Sequence, residues 1–140
     1  MAVKFYLADI KFVLNHKRQL KKSIEFLFSD QNKDLKSLTY VFTSDEYLLK
    51  INQDFLKHDY FTDVITFTLS AEKNKIEGEV YISIDRVKEN AKQLATDFSS
   101  ELHRVMIHGA LHLCGHKDKL KKDQFRMRNL EEKYLFKLIP

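Results

Sequence analysis

Large apolar and polar positions trade places along this chain with two distinct periods. From Leu38 to Thr43, Leu38, Tyr40 and Phe42 alternate with Thr39, Val41 and Thr43, a period of two that predicts a strand. Leu20, Ile24, Leu27 and Phe28 recur at helical spacing instead, with Lys17, Arg18, Lys21 and Lys22 on the opposite face, so a helix is expected there with Asn15 as its cap. Val3 to Ala8 reads as a short strand before it. Ser44-Asp45-Glu46 supplies a cap and an acidic first turn for a helix presenting Leu48, Ile51 and Phe55. Thr62 to Leu69 and Glu79 to Ile84 are rich in β-branched residues, and an antiparallel pair is expected across the turn region Ser70 to Gly78. Asp85 is read as the cap of a helix carrying Val87, Ala91, Leu94 and Ala95, and Ser99 or Ser100 as the cap of one running to about Cys114. Gly115 ends that helix, because glycine takes the left-handed conformation without a Cβ penalty. A last helix, Lys121 to Leu138, has Met127, Leu130, Tyr134 and Leu138 on one stripe. The order βαβαββααα predicts an α+β fold, a small mixed sheet of about four strands packed against several helices.

Composition adds bounds to this picture. The 140 residues contain 44% hydrophobic positions and 12% aromatics, which excludes a disordered chain, and the lone proline is Pro140, so no linker divides residues 1–140 and a single domain is expected. No apolar run approaches the ~18 residues of a membrane span, and Lys4 and Asp9 interrupt the start where a signal peptide would be apolar. A cytoplasmic protein without membrane contact is expected. The lone Cys114 builds no disulfide framework, in keeping with a reducing compartment. A net charge of +4 and a pI of about 9.0 favour a polyanionic partner.

The segment that carries chemistry is Arg104 to Asp118, with the pattern His108-x-x-x-His112-x-x-Gly115-x-x-Asp118. Two histidines four apart on a helix share one face, so both imidazoles can reach one metal ion. Six histidines give roughly a one-in-five chance of some such pair, but adding Gly three and Asp or His six residues on lowers chance agreement to the order of one in a thousand. Gly115 lets the chain turn back so that Asp118 can complete a triad, leaving a fourth position open, as in catalytic sites. Two imidazoles and a carboxylate suit zinc. His116 competes with Asp118 for the third place, but only an uninterrupted helix would bring it to the ligand face. Cys114, roughly 200° around the helix from His112, is read as a packed small side chain, and His103, His58 and His16 as surface histidines.

At these residues the sequence resembles the YbeY family, bacterial metal-dependent endoribonucleases associated with ribosomal RNA maturation and ribosome quality control. The family signature is His-Gly-x-Leu-His-Leu-x-Gly-Tyr-Asp-His. His108, Gly109, Leu111, His112, Leu113 and Gly115 match it in place, whereas His116, Lys117 and Asp118 stand for Tyr, Asp and the third His. Ile51-Asn52, Thr62-Asp63-Val64-Ile65-Thr66-Phe67 and the segment Gly78 to Ile84 followed by Asp85 are similar to further family blocks. The family's arginine after the aromatic residue is replaced by Leu56, and Lys57 and His58 are the neighbouring residues that could meet substrate in its place. The resemblance implies a metal-dependent single-strand endoribonuclease acting on precursor rRNA and the ribosome, with one zinc-like ion on His108, His112 and Asp118. It leaves the general base unassigned.

Two other readings fit parts of the pattern. Metzincin proteases share the spacing, but they place a general-base Glu directly after the first His, where this chain has Gly109. The other, from a different class, is a ribosome-associated factor whose metal is mainly structural. Basic residues of the first helix, with Lys117, Lys119, Lys121 and Lys122, would hold an RNA backbone electrostatically.

Overall fold

The structure is a computed structural model and describes residues 2–70 and 72–138, with side chains described as far as residue 135. Four strands and five helices are found among the described residues, in the expected order: β1 (Val3–Leu7), α1 (Lys17–Asp30), β2 (Asp34–Thr43), α2 (Asp45–Leu56), β3 (Val64–Thr68), β4 (Lys75–Ser83), α3 (Ile84–Gln93), α4 (Phe98–Leu113) and α5 (Lys121–Leu138). The sheet is mixed and runs β1-β2-β4-β3. β2 is parallel to both β1 and β4, and β3 pairs antiparallel with β4 from Val64↔Ile82 to Thr68↔Gly78, the pairing expected from the β-branched runs. No helix among the described residues is long and apolar enough to cross a membrane.

Several boundaries differ from expectation. β4 starts at Lys75 and β2 at Asp34, because their backbones pair from Asp34↔Lys75 onward across an irregularity between Leu35 and Ser37. Backbone pairing tolerates polar side chains, so the alternation that marks Leu38 to Thr43 misses this stretch. Helix α1 starts from His16 in the left-handed region at φ 60° with no side-chain cap, not from Asn15. Leu14, just upstream, is buried in the core. Ser83, not Asp85, caps α3, its hydroxyl accepting from the Arg86 N–H. Asp85 sits in the first turn, where its carboxylate accepts from the Asp45 N–H at 2.9 Å. Asp97 caps α4 in place of Ser99 or Ser100, accepting from the Ser100 N–H at 2.8 Å. Phe55 and Leu94 are exposed rather than packed, and Ala95 lies beyond α3 at φ 53°. The Leu138 side chain lies outside the described residues.

Helix α4 runs through the middle of the molecule. Leu102, Val105, Met106, Ile107, Ala110 and Leu111 are all buried, so this helix is apolar nearly all round, the pattern of an interior helix. Tyr40 of β2, fully buried, donates its hydroxyl to the Met106 carbonyl at 2.8 Å and ties the sheet to it. Contact with β4 is close at Gly109, where an added Cβ would lie 2.6 Å from Cγ1 of Val80. A partly exposed stripe remains on α4 at Arg104, His108 and His112, spaced four and four.

Candidate metal centre

The i, i+4 spacing does on α4 what it predicts. The rings of His108 and His112 lie 4.5 Å apart between centroids at 81°, and their Nε2 atoms are 2.9 Å apart. After α4 the chain reverses at Gly115, whose φ of 101° belongs to glycine's range. The Gly115 N–H donates to His112 O and the His116 N–H to Leu111 O, so the last turn is closed by backbone alone. The reversal returns Asp118, with Oδ2 3.2 Å from His108 Nε2 and 3.3 Å from His112 Nε2. One ligand atom from each of the three residues falls within 4.8 Å of the others.

The other ring nitrogens are already committed. His112 Nδ1 donates to the His116 carbonyl at 3.0 Å, and His108 Nδ1 donates to Glu131 Oε2 of α5 at 2.5 Å. Both partners only accept, so each Nδ1 carries the hydrogen and each Nε2 turns a lone pair toward the other and toward a carboxylate. Three electron-rich atoms in mutual contact need a cation or a proton between them, and this donor set fits a transition-metal ion of the zinc kind. A carboxylate behind a ligating histidine also fixes its tautomer and raises its basicity.

Glu131 is itself held. Arg104 Nη1 donates to Glu131 Oε1 at 3.1 Å, and Arg104 grips the buried Glu101 with two further bonds at 2.8 and 2.7 Å. Burial opposes the protonated form of His108, yet Glu131, with Asp118 and Asp63 behind it, outweighs burial and holds the imidazole's pKa above its ordinary value. Burial would likewise raise Glu131, but His108 and Arg104 together hold its carboxyl below the usual range. Sequence reasoning missed this chain of Glu101, Arg104 and Glu131. The available signal was a glutamate on the Met127 and Tyr134 stripe of α5, where it is buried with them.

His116 is turned away from the cluster. Its Nε2 donates to Gln31 Oε1 at 2.6 Å, Gln31 donates to the Tyr134 hydroxyl, and that hydroxyl donates to Asp30, a polar chain joining α1 and α5. Cys114 is partly buried against the core, and burial pushes its thiol up to about 12, which makes it a packing residue rather than a nucleophile. His103 is half-buried rather than on the surface, and burial lowers its pKa. His16 and His58 are exposed.

The triad lines a cleft of about 320 Å³ together with Asn52, Leu56, His58, Tyr60 and the segment 62–66. Of the two residues expected to meet substrate, His58 lines this cleft. Lys57 does not: it terminates α2 at φ 58°, with its ammonium donating to the Asp54 carbonyl at 3.3 Å. Asp63, also in the cleft wall, accepts from Asn90 Nδ2 at 3.0 Å.

Comparison with known proteins sets this geometry in a family. The model of the family described as Endoribonuclease YbeY matches residues 7–139. The Endoribonuclease YbeY of Cytophaga hutchinsonii is 44% identical over 128 residues, covering 91% of this chain and 90% of that one. Its namesake from Porphyromonas gingivalis strain W83 is 46% identical over 136 residues, covering 97% and 89%. A Thermotoga maritima protein solved in solution superposes with a TM-score of 0.68 at 28% identity, over 97% of this chain and 88% of that one.

Proposed function

The chain belongs to the YbeY endoribonuclease family, and from that membership together with the cleft we infer that it cuts single-stranded RNA with one divalent transition metal, zinc, on His108, His112 and Asp118. The observation that carries the metal assignment is the convergence of two Nε2 atoms and one carboxylate oxygen whose supporting hydrogen bonds are already made. When bound, such an ion supplies Lewis-acid polarisation of a phosphoryl oxygen and activation of water. The protein's own contribution is orientation. Glu131 and the His116 carbonyl fix the two rings, and Arg104 holds Glu131 in place. The substrate we assign is precursor rRNA on the ribosome, and the site of action the cytoplasm, in keeping with the net charge of +4.

The protease alternative fails at Gly109. Position 109 faces the sheet, where a Cβ would meet Val80 at 2.6 Å and Val64 at 3.5 Å, so no glutamate base can stand there. Incubation with single-stranded RNA and with casein, before and after chelation, tests the assignment. RNA should be cut, cutting should stop on chelation and return with added zinc, and casein should stay whole. Chelator-sensitive proteolysis would reverse the assignment, and RNA cutting that survives complete metal removal would reduce the ion to a structural part.

We assign substrate contact to His58, in the wall that lacks the family arginine, and to Lys57, which lies next to it in sequence outside the lining. The Lys57 ammonium is exposed and held by one long bond to its own helix, so it is free to reach a phosphate. Lys57→Ala should lower the slope of log Kd against log salt by about 0.7, the value for one phosphate contact on a single strand. An unchanged slope would leave Lys57 as a helix-terminating residue.

A further inference from the structure

Among the described residues lining the cleft there is neither lysine nor arginine. The segment after α2 carries rings instead. His58 and Tyr60 stack with centroids 5.2 Å apart and planes at 19°, and Nδ1 and the hydroxyl are hydrogen-bonded at 2.9 Å. Both line the same cleft as His108, His112 and Asp118, and Tyr60 is 56% exposed. Leu56, 40% exposed, adds an apolar surface beside them.

This pair is held in place before anything binds. Asn52 is buried and donates its amide to the Tyr60 carbonyl at 2.8 Å, while the His58 N–H donates to the Asn52 carbonyl at 3.1 Å. Gln53 donates to Asp59 at 2.6 Å, so the residue between His58 and Tyr60 is tied back to α2 as well. An exposed aromatic pair on a preorganised loop is poorly explained by stability, since its rings bury little, but it loses little conformational freedom on binding a flat partner. Its open π face suits a nucleobase, and no lining cation draws a phosphate to the same place.

We propose that His58 and Tyr60 form a stacking platform for one unpaired nucleobase next to the phosphodiester held at His108, His112 and Asp118 in the same cleft. The proposal rests on the ribonuclease reading above and deepens it. A base paired in a duplex keeps both faces stacked on its neighbours, so only single-stranded RNA can offer one to the platform. Strand selectivity then comes from ring contact rather than charge.

The test uses the metal-loaded full chain and short single-stranded RNAs in which 2-aminopurine is walked through the positions flanking the cut. Its fluorescence should be quenched on binding at one flanking position. Tyr60→Ala should abolish that quenching and raise KM on the order of tenfold, the loss of one base stack, with kcat and metal content held to within about twofold. Tyr60→Phe, which keeps the ring, should restore both quenching and KM. An abasic residue at the quenched position should cost the wild type the same factor and cost Tyr60→Ala nothing further. If the wild type cuts RNA but Tyr60→Ala retains its KM, or remains equally sensitive to the abasic residue, the platform is wrong and the ribonuclease reading stands. A wild type that neither binds nor cuts RNA removes both.

Discussion

His108→Ala and His112→Ala should each yield a folded protein without stoichiometric metal, in which RNA cutting falls on the order of a thousandfold, because several kcal/mol of charge stabilisation leave with the ion. Folding should survive. Both rings lie on the partly exposed stripe of α4, while Leu102, Val105, Met106 and Leu111 carry its packing. Asp118→Ala should lose metal in the same way, whereas His116→Ala should keep it and cost about 1 kcal/mol for the lost Gln31 bond. Elemental analysis of the four variants decides the assignment, and retention of metal by Asp118→Ala with loss in His116→Ala would exchange the two residues. Proton and metal compete for the Nε2 of His108. Since Glu131 and Asp118 hold that imidazole's pKa above its ordinary value, apparent metal affinity should keep rising with pH beyond the point expected for a free histidine.

Glu131→Ala should weaken metal binding by about 10- to 100-fold without touching a ligand atom, the usual cost of losing the group behind a ligating histidine. It should also destabilise the metal-free chain by about 2 to 3 kcal/mol, because charge-assisted bonds from His108 and Arg104 end together. The pH dependence carries a sign. Glu131 has a lowered pKa, so its contribution is present above the ordinary carboxylate value and is lost as pH falls through the lowered one. His108 has a raised pKa, so its contribution is complete below the ordinary imidazole value and is lost as pH rises through the raised one. The pair therefore supports the metal-free fold in the window between, and Glu131→Gln should flatten that window. Metal titration against a chromophoric chelator and thermal unfolding across pH measure both effects. A Glu131→Ala protein with wild-type affinity would show that the Glu131 bond does not prepare the site.

The features legible in the sequence are those set by neighbours along the chain. Four-residue spacing placed His108 beside His112 because helix geometry is local, and the alternation of Leu38, Tyr40 and Phe42 marked the buried face of β2 for the same reason. Gly115 was readable as a reversal, and with it the return of Asp118. Features set by distant partners were not. Asp34 extends β2 because Lys75 lies beside it, and Ser83 caps α3 while also donating to Asp45, 38 residues away in sequence. The bond between His108 and Glu131 spans 23 positions and two helices, and nothing local to either residue announces it. The rings of His58 and Tyr60 were likewise hidden, since two exposed residues in a polar loop have no periodicity to betray that they stack.

The placement of Glu131 on α5 also orders events during synthesis. A ribosome makes chains from the N-terminus, so β1 to β4 and α4 exist before α5 does. His108, His112 and Asp118 are then already joined in sequence, while Glu131, the carboxylate behind His108, comes later in the chain. Helix α5 brings Tyr134 to Asp30 and Glu131 to His108, and the second of these bonds fixes the imidazole's tautomer. The group that orients His108 is therefore the part of this cluster laid down last in synthesis.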